Sequence, residues 1–410
     1  MIDADPDHVD DPGSLEGGRT RRGIDRLAER AADIPQGFVV LAVALVVFGL
    51  AAYRNPSLVN PQFVFEEAGT YWAMTFAQNP ISFLFDTWVG YLNVLPRAVF
   101  LAARIVPPEL APAFERTAES VAIATVAAFF ASDRFGSVVP SRWTRAGFGL
   151  SLGLLPTFAP YGSILHVHWV TAAFLAGLSV LPDRRWTDYP AAAIAVLSGL
   201  PAALAAPFFF LRRPDRLAIL VAVLAAIQVL ITLEGTRSRH LFDLKGIVIQ
   251  LGPAGLTALA LALIAFKDVP RRAAFALLGT GILVLLAGSA ATRNFEAPVY
   301  ERFMVTYWIG IAFIGVVAAA RRRTAGLLLV ALVASLGVYA VVRVGPTTGK
   351  WAANARCIGG PVPCVVPINP SRYDVHWPGD PALYQPPPRG GVRTPSPTPS
   401  SPAPSSTAPG

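Results

Sequence analysis

Long apolar runs alternate with short polar stretches over most of the chain. Each run has about 18 to 22 residues, which as a helix is long enough to cross a bilayer core of roughly 30 Å. The pattern predicts full spans at residues 36–53, 112–131, 145–160, 164–181, 215–233, 246–266, 273–291, 303–320 and 324–342. We therefore expect an all-α polytopic membrane protein with about nine full spans.

One apolar stretch, residues 190–211, does not fit a single span because Gly199 and Pro201 interrupt it. Arginines flank it on both sides, so a single crossing would place three of them on the outer face, against the positive-inside trend. We expect a broken, re-entrant helical hairpin whose two ends return to the same side.

Composition and charge agree with a membrane protein. The chain has 410 residues, is 53% hydrophobic and 15% charged, and its mean hydropathy is +0.50, which excludes a soluble enzyme of several domains. The net charge of +8 would suggest nucleic acid in a soluble protein, but here the basic residues favour the loops of one face. We expect no nucleic-acid partner, a cytoplasmic N-terminus, an outer C-terminus and a multi-pass position in a bacterial inner (plasma) membrane.

Four regions follow from this topology. Residues 1–35 form a polar cytoplasmic tail, 36–342 the transmembrane domain, 343–384 an outer segment, and 385–410 a disordered proline- and serine-rich tail. In the outer segment Cys357 and Cys364 enclose six residues that can turn the chain back, which predicts a disulfide in an oxidising compartment. Two unpaired thiols are the alternative.

The first outer loop, residues 54–111, is the longest connection between spans and is rich in aromatic residues. Long loops are usually functional or disordered, and this one is too aromatic for disorder. We expect interfacial helices that lie on the membrane surface. In its second half the polar side chains of Asn93, Arg97 and Arg104 share one helical face, which predicts an inward basic edge.

Two adjacent carboxylates, Glu66 and Glu67, stand among aromatic residues early in this loop, just after the first span. A carboxylate near hydrocarbon is costly, so it is rarely kept without a partner or a task. Partial burial raises the pKa of a carboxylate toward the range that a general base needs. The alternative is an ordinary acidic residue at a helix N-terminus, where the helix dipole favours it.

Two histidines, His166 and His168, stand at the outer start of the fourth predicted span, next to Trp169. Residues two apart on a helix point about 200° apart, so the pair does not predict a metal site. One hypothesis is that a histidine lines the outer cavity and binds a phosphate or hydroxyl. The other is that both are structural.

Basic residues on the predicted outer face point to an anionic ligand. Arg237, Arg239 and His240 share one outer loop, against the positive-inside trend. Arg302 stands at the outer entrance of a later span, where its partner is either a nearby glutamate or a phosphate. A lipid phosphate suits this depth, whether it belongs to a bulk headgroup or to a lipid-linked substrate.

Motifs of several other classes are absent from the sequence. It contains no P-loop, no H-E-x-x-H and no dinucleotide-binding glycine motif after a strand, so ATP-driven transport is not encoded. The predicted spans carry almost no ionisable residue, which counts against an ion-coupled transporter.

In its first loop the chain resembles the GT-C superfamily of integral membrane glycosyltransferases. The likeness is closest to bacterial members with a Glu-Asp-Gly type motif, an aromatic segment and a Gly-Tyr...Pro-Arg element. The first motif reads Glu66-Glu67-Ala68 here, and the last runs from Gly90 to Arg97 as Gly-Tyr-Leu-Asn-Val-Leu-Pro-Arg. A glutamate stands where the family more often has Asp, and an alanine replaces Gly, so the choice of base between the two glutamates stays open.

The resemblance extends over roughly residues 36–310. His168-Trp169 and Arg302-Phe303 are similar to a His-Trp and an Arg-Tyr element later in such chains. Together these elements imply a GT-C-like fold with the motif residues on the outer face.

The resemblance also implies an activity. Such enzymes take a sugar from a polyprenyl-phosphate carrier and transfer it, here with inversion, to an envelope glycan, lipid or protein. Glu67 or Glu66 would deprotonate the acceptor, and Arg302, Arg237 and Arg239 would stabilise the leaving phosphate. A phosphate leaving group makes a divalent cation, Mg²⁺ or Mn²⁺, optional, and the sequence requires no cofactor.

Two other functions stay open. A flippase or transporter of lipid-linked glycans would bind the lipid phosphate in the same basic cavity without chemistry. A structural component of an envelope assembly machine would use the proline-rich tail to bind its partner. Apart from membrane lipids, the expected partners are the lipid-linked sugar and its acceptor.

Overall fold

The computed structural model describes residues 33–54, 62–63, 67–87, 90–157, 163–211, 214–235, 244–291, 303–342, 351–368 and 374–385. Its α-helices, in chain order, are α1 Gln36–Tyr53, α2 Met74–Ala77, α3 Pro80–Leu84, α4 Val94–Ala102, α5 Ala111–Ala131, α6 Arg142–Ser151, α7 Val167–Ser179, α8 Asp188–Leu197, α9 Leu200–Ala203, α10 Arg216–Gly235, α11 Leu244–Ala265, α12 Arg271–Ala291, α13 Met304–Ala320, α14 Thr324–Val342 and α15 Trp351–Asn354.

Other elements are short. A π-helix spans Glu67–Ala73, and the antiparallel strands β1 Cys364–Val366 and β2 Val375–Trp377 pair with each other. The 3₁₀ segments are Ala103–Ile105, Pro108–Leu110, Asp133–Ser137, Leu152–Leu154, Ile164–His166, Ala206–Leu211, Phe266–Asp268, Ala355–Cys357 and Pro381–Leu383. The fold is therefore mostly helical, as the apolar pattern predicts.

Five helical stretches in the described residues are long and apolar enough to cross a membrane: Gln36–Tyr53, Arg216–Leu233, Leu251–Asp268, Arg271–Gly288 and Thr324–Val341. The remaining predicted spans are helical but shorter or more polar. Helix α13 has 17 residues and α7 has 13. Helix α5 is long enough, at 21 residues, but carries ionisable side chains in its first turns. The structure thus supports a helical membrane protein, and the nine-span count stays a prediction.

The predicted span at residues 145–160 differs most from its expected form. Helix α6 begins earlier, after Ser141, whose Oγ accepts a hydrogen bond from the Thr144 N–H, and the last 3₁₀ turn ends at Leu154. Beyond it the carbonyl groups turn away from a helix and accept hydrogen bonds from the buried guanidinium of Arg54, at the end of α1. The helical segment therefore ends at Leu154, where the Arg54 side chain binds main-chain carbonyl groups, and not near residue 160 as predicted.

The stretch at residues 188–211 is broken at Gly199, as predicted. The φ angle there is +156°, and a Cβ atom at this position would lie 2.7 Å from Cβ of His168, so only glycine fits. At the base of the hairpin, Nε of Arg184 donates to Oδ2 of Asp215 over 2.7 Å. This ion pair joins the chain before and after the stretch, so the two ends of the hairpin lie side by side, and its re-entry into a membrane stays a prediction.

Two hydrophobic cores organise the described chain. The larger one, the membrane core, contains the buried faces of α1, α5 to α8 and α10 to α14. The second, which we call the cap core, combines the first loop with residues 351–384. Its buried aromatic members are Phe63, Tyr71, Trp72, Phe83, Phe100, Trp351, Trp377 and Tyr384.

Long-range contacts hold the two parts of the cap core together. Nε1 of Trp351 donates to the Pro108 carbonyl over 2.8 Å, and the Tyr384 hydroxyl donates to the Gly69 carbonyl over 2.9 Å. Burial raises the pKa of Tyr384, so it remains a donor at any physiological pH. Residues 351–384 are therefore packed against the first loop instead of forming a separate unit.

Candidate functional site

The candidate site lies where the cap core meets the membrane core. Four segments reach this junction: the π-helix Glu67–Ala73, the start of α4, the start of α7 and the tip of the hairpin between α8 and α9. They contain the motif residues of the first loop and the His-Trp pair, so the structure brings together elements that are far apart in the sequence.

Glu67 lies inside this junction with 1% of its surface exposed and is ion-paired with Arg116 of α5, which is fully buried. The pair is bidentate: Nη1 of Arg116 lies 2.9 Å from Oε1, and Nη2 lies 2.6 Å from Oε2. Two parallel hydrogen bonds of this kind fix the orientation of the carboxylate in addition to pairing its charge. Glu67 is therefore held in one orientation.

Two further carboxylates surround Arg116. Oε1 of Glu115 accepts the Ile164 N–H over 2.6 Å, and Oε1 of Glu119 accepts the Ser163 N–H over 3.0 Å. Oε2 of Glu115 lies 2.9 Å from Nη1 of Arg116. Glu67, Glu115, Arg116 and Glu119 form what we call the acid–arginine cluster, in which three carboxylates share one guanidinium.

The sequence interpretation missed Glu115, Arg116 and Glu119. They fall within the predicted span 112–131, so the statement that spans carry almost no ionisable residue is wrong for α5. Their spacing carries a usable signal, since residues three and four apart lie on one helical face. In the described residues, no group of three acidic, histidine or cysteine side chains has the geometry of a metal site.

Arg97 is the second buried arginine at the junction, with no exposed surface. Its Cζ lies 5.0 Å from the ring centre of Tyr71 and 4.7 Å from that of Phe83. Asp86 approaches to 3.4 Å, but no guanidinium nitrogen of Arg97 makes a hydrogen bond with the described residues. Burial lowers the pKa of Arg97, although not enough to remove its charge at neutral pH.

Neighbouring elements hold α4, and with it Arg97, firmly in place. Gln228 of α10 binds the main chain of Leu92 twice, donating to its carbonyl over 2.8 Å and accepting from its N–H over 3.1 Å. Oγ of Ser198, at the hairpin tip, accepts the Leu95 N–H over 3.1 Å. The predicted inward position is thus confirmed for Arg97, which a span and the hairpin hold in place, but it is wrong for Arg104. That residue is exposed in the 3₁₀ segment after α4 and donates to the Thr75 carbonyl over 3.1 Å.

Asn93, one turn before Arg97, is also fully buried. Its Nδ2 donates to the Tyr71 hydroxyl over 3.2 Å, and its Oδ1 has no hydrogen-bond donor in the described residues. The neighbourhood of Tyr71 therefore offers both unused donors and an unused acceptor.

The two histidines have different environments. His168 is buried at the start of α7, and its ring lies 6.0 Å from that of Tyr91. His166 is only partly buried, in the 3₁₀ turn before the helix. Trp169 packs against Phe303, with ring centres 5.1 Å apart. A continuous row of rings thus links the Gly-Tyr element of the first loop to the start of α13.

Several candidate residues lie outside the described parts of the chain: Glu66, Arg237, Arg239, His240 and Arg302. The cysteines are described, and a disulfide joins Cys357 to Cys364, with their Cα atoms 6.3 Å apart. Ser151 lies in a G-x-S-x-G sequence but on a helix, where its hydroxyl donates to the Phe148 carbonyl, so it is not placed as a hydrolase nucleophile.

Comparisons with family models, with curated proteins and with solved structures found no match to this chain. The site must therefore be judged by its own chemistry.

Proposed function

We propose that the protein is a membrane glycosyltransferase that moves a sugar from a polyprenyl-phosphate donor to an envelope glycan, lipid or protein acceptor. The observation that carries the proposal is Arg97, a fully buried guanidinium with no hydrogen bond to the described residues. In this proposal the protein lies in a bacterial inner membrane, with the cap core on the outer face.

A buried cation without hydrogen bonds is costly to keep. Leaving a charged group unsatisfied forfeits about 1.5–3 kcal/mol for each missing hydrogen bond. Aromatic faces and one acid at 3.4 Å recover part of this for Arg97. A phosphate would accept two N–H donors of Arg97 at once, because the guanidinium fork matches two phosphate oxygens.

Glu67 supports transfer rather than binding alone. In the proposed reaction the acceptor hydroxyl gives its proton to a glutamate and attacks the anomeric carbon with inversion. The bond from that carbon to the phosphate oxygen breaks, and the lipid phosphate leaves with the electron pair. Arg97 stabilises the charge that develops there, with Arg302, Arg237 and Arg239 as further candidates from the resemblance.

The same cluster sets a condition on this chemistry. Each oxygen of Glu67 accepts one hydrogen bond from Arg116, so an incoming proton must reach a lone pair that this pair leaves open or replace one of the two bonds. If an N–H of Arg116 is released from Glu67, Glu115 can accept it, because its Oε2 lies 2.9 Å from Nη1 of Arg116. Glu66, the other candidate base, is the alternative if Arg116 keeps its hold on Glu67.

The bidentate pair also favours a second candidate function. A flippase or transporter of lipid-linked glycans needs a bound phosphate but no base, and a Glu67 saturated by Arg116 suits a structural role. Under this function Arg97 remains essential, whereas neither glutamate takes part in chemistry.

Release of free polyprenyl phosphate separates the two functions. The purified protein in lipid is given a panel of polyprenyl-phosphate sugars with candidate acceptors, and wild type is compared with Glu66→Gln and Glu67→Gln. Glu109→Gln is the matched control, because Glu109 pairs with Arg356 rather than with a residue of the acid–arginine cluster. Loss in one junction variant but not in the control, with folding retained, supports the transferase. Phosphate-lipid binding in all variants without any release would instead favour the transporter.

A further inference from the structure

A groove of about 330 Å³ opens at the end of the molecule opposite the cap core. Its walls are Leu211 from the end of the hairpin, Phe266 after α11, and Arg271, Arg272 and Phe275 from the first turns of α12. Most of the lining is apolar, and the two arginines supply its charge.

The groove lies at one end of two candidate spans, because Leu251–Asp268 ends and Arg271–Gly288 begins beside it. Phe275 follows Arg271 by one helical turn and shares its face of α12. It is 53% exposed and packs one side of its ring against Phe208 of the hairpin. The groove thus presents charge at the headgroup level and an apolar wall toward the hydrocarbon.

Four arginines at this end have an aspartate within 4.0 Å: Arg134 with Asp188, Arg145 with Asp133, Arg184 with Asp215, and Arg323 with Asp268. In the described residues no acidic side chain lies within that distance of Arg271 or Arg272. The positive charge of the groove is therefore not neutralised by the protein.

We propose that this groove binds one anionic phospholipid. Its phosphate lies between Arg271 and Arg272, and one acyl chain lies along Phe275 and Leu211. Bulk headgroups would interact with any exposed arginine at this end, but a defined site requires both the charge pair and the apolar wall. The inference does not depend on the proposed glycosyl transfer.

Lipid binding to delipidated protein in neutral detergent tests the site. The probes are phosphatidylglycerol and phosphatidylcholine with the same acyl chains, and the readouts are binding and the rise in thermal unfolding midpoint. We compare the double variant Arg271→Gln/Arg272→Gln with Arg185→Gln/Arg321→Gln, which removes two charges from exposed positions outside the groove. Without lipid, both variants should unfold at the wild-type midpoint.

The expected result is a preference of wild type for phosphatidylglycerol that weakens roughly tenfold in the groove variant and stays unchanged in the control. Phe275→Ala should weaken binding of the lipid, and soluble phosphate should not replace it. If the preference for phosphatidylglycerol weakens equally in both double variants, the lipid is attracted by bulk surface charge, and the proposal is overturned. Equal binding of the two lipids by wild type would overturn it as well.

Discussion

Arg97 and Arg116 are both fully buried at the same junction, yet their surroundings are opposite. Arg116 has three carboxylates around it and binds one of them through two hydrogen bonds. Arg97 has aromatic rings, one acid that is not aligned for a hydrogen bond, and unused donors. Under the proposed function, this difference distinguishes a cation that is paired within the protein from one that is available to bind a phosphate.

Removing Arg116 should have the largest effect. Arg116→Met leaves Glu67, Glu115 and Glu119 buried without their cation, which should lower the free energy of unfolding by about 3–5 kcal/mol. Thermal unfolding in detergent, together with the yield of monodisperse protein, measures this loss. Wild-type stability in Arg116→Met would contradict the view that the cluster is structural.

Removing Arg97 should instead leave the fold intact. Arg97→Met replaces an unsatisfied cation with an apolar side chain of similar length, so stability should stay the same or rise. Binding of polyprenyl phosphate should weaken by roughly tenfold to a hundredfold, because charged hydrogen bonds are lost. A lipid-binding titration beside the unfolding measurement gives both numbers. A large loss of stability with unchanged binding would reverse the assignment of the two arginines.

Loosening the cap core should affect the segments around the two arginines to different extents. Cys357→Ser/Cys364→Ser removes the disulfide and should cost the cap about 2 kcal/mol. Tyr384 is bound to Gly69, two residues from Glu67, so the π-helix should lose protection against hydrogen exchange. Helix α4 should keep its protection, because α10 and the hairpin still hold it. Hydrogen exchange of peptides over 67–77 and 92–102 tests this, and equal protection loss in both would refute it.

The smallest effect concerns the exposed ion pair between Glu109 and Arg356, remote from both arginines. A hydrogen bond from its own main-chain N–H, and then the Arg356 side chain, lower the pKa of Glu109. A lowered pKa in the folded state means that the stabilisation is present above the usual glutamate pKa of about 4.3 and disappears as the pH falls through the folded value. The difference in thermal unfolding midpoint between wild type and Glu109→Gln should therefore vanish in acid. A difference that stays constant with pH would disprove the link between this ion pair and stability.

Local pattern was sufficient for part of this architecture. Apolar runs locate most of the helices, and Gly199 marks the hairpin break because no other residue fits beside His168. The six-residue spacing of the cysteines indicates their pairing. Each of these features depends on a few neighbouring residues or on one backbone conformation.

The acid–arginine cluster was not predicted because average hydropathy conceals it. Glu115, Arg116 and Glu119 stand in an otherwise apolar helix, and their partners are Glu67 and main-chain N–H groups far away in the sequence. The contrast between Arg97 and Arg116 is likewise tertiary, since both are arginines on helices that are otherwise largely apolar. Only the packing of the first loop against the spans distinguishes them.

The hydrogen bond between Gly69 and Tyr384 joins residues 315 positions apart. At a synthesis rate of about 5–20 residues per second, the first loop emerges roughly 15 to 60 s before its partner exists. During that interval the aromatic face of the π-helix has no cap, and any factor that shields it must act before translation ends. Because Tyr384 is synthesised long after Gly69, the first-loop part of the site is completed only when the last described residues have been made.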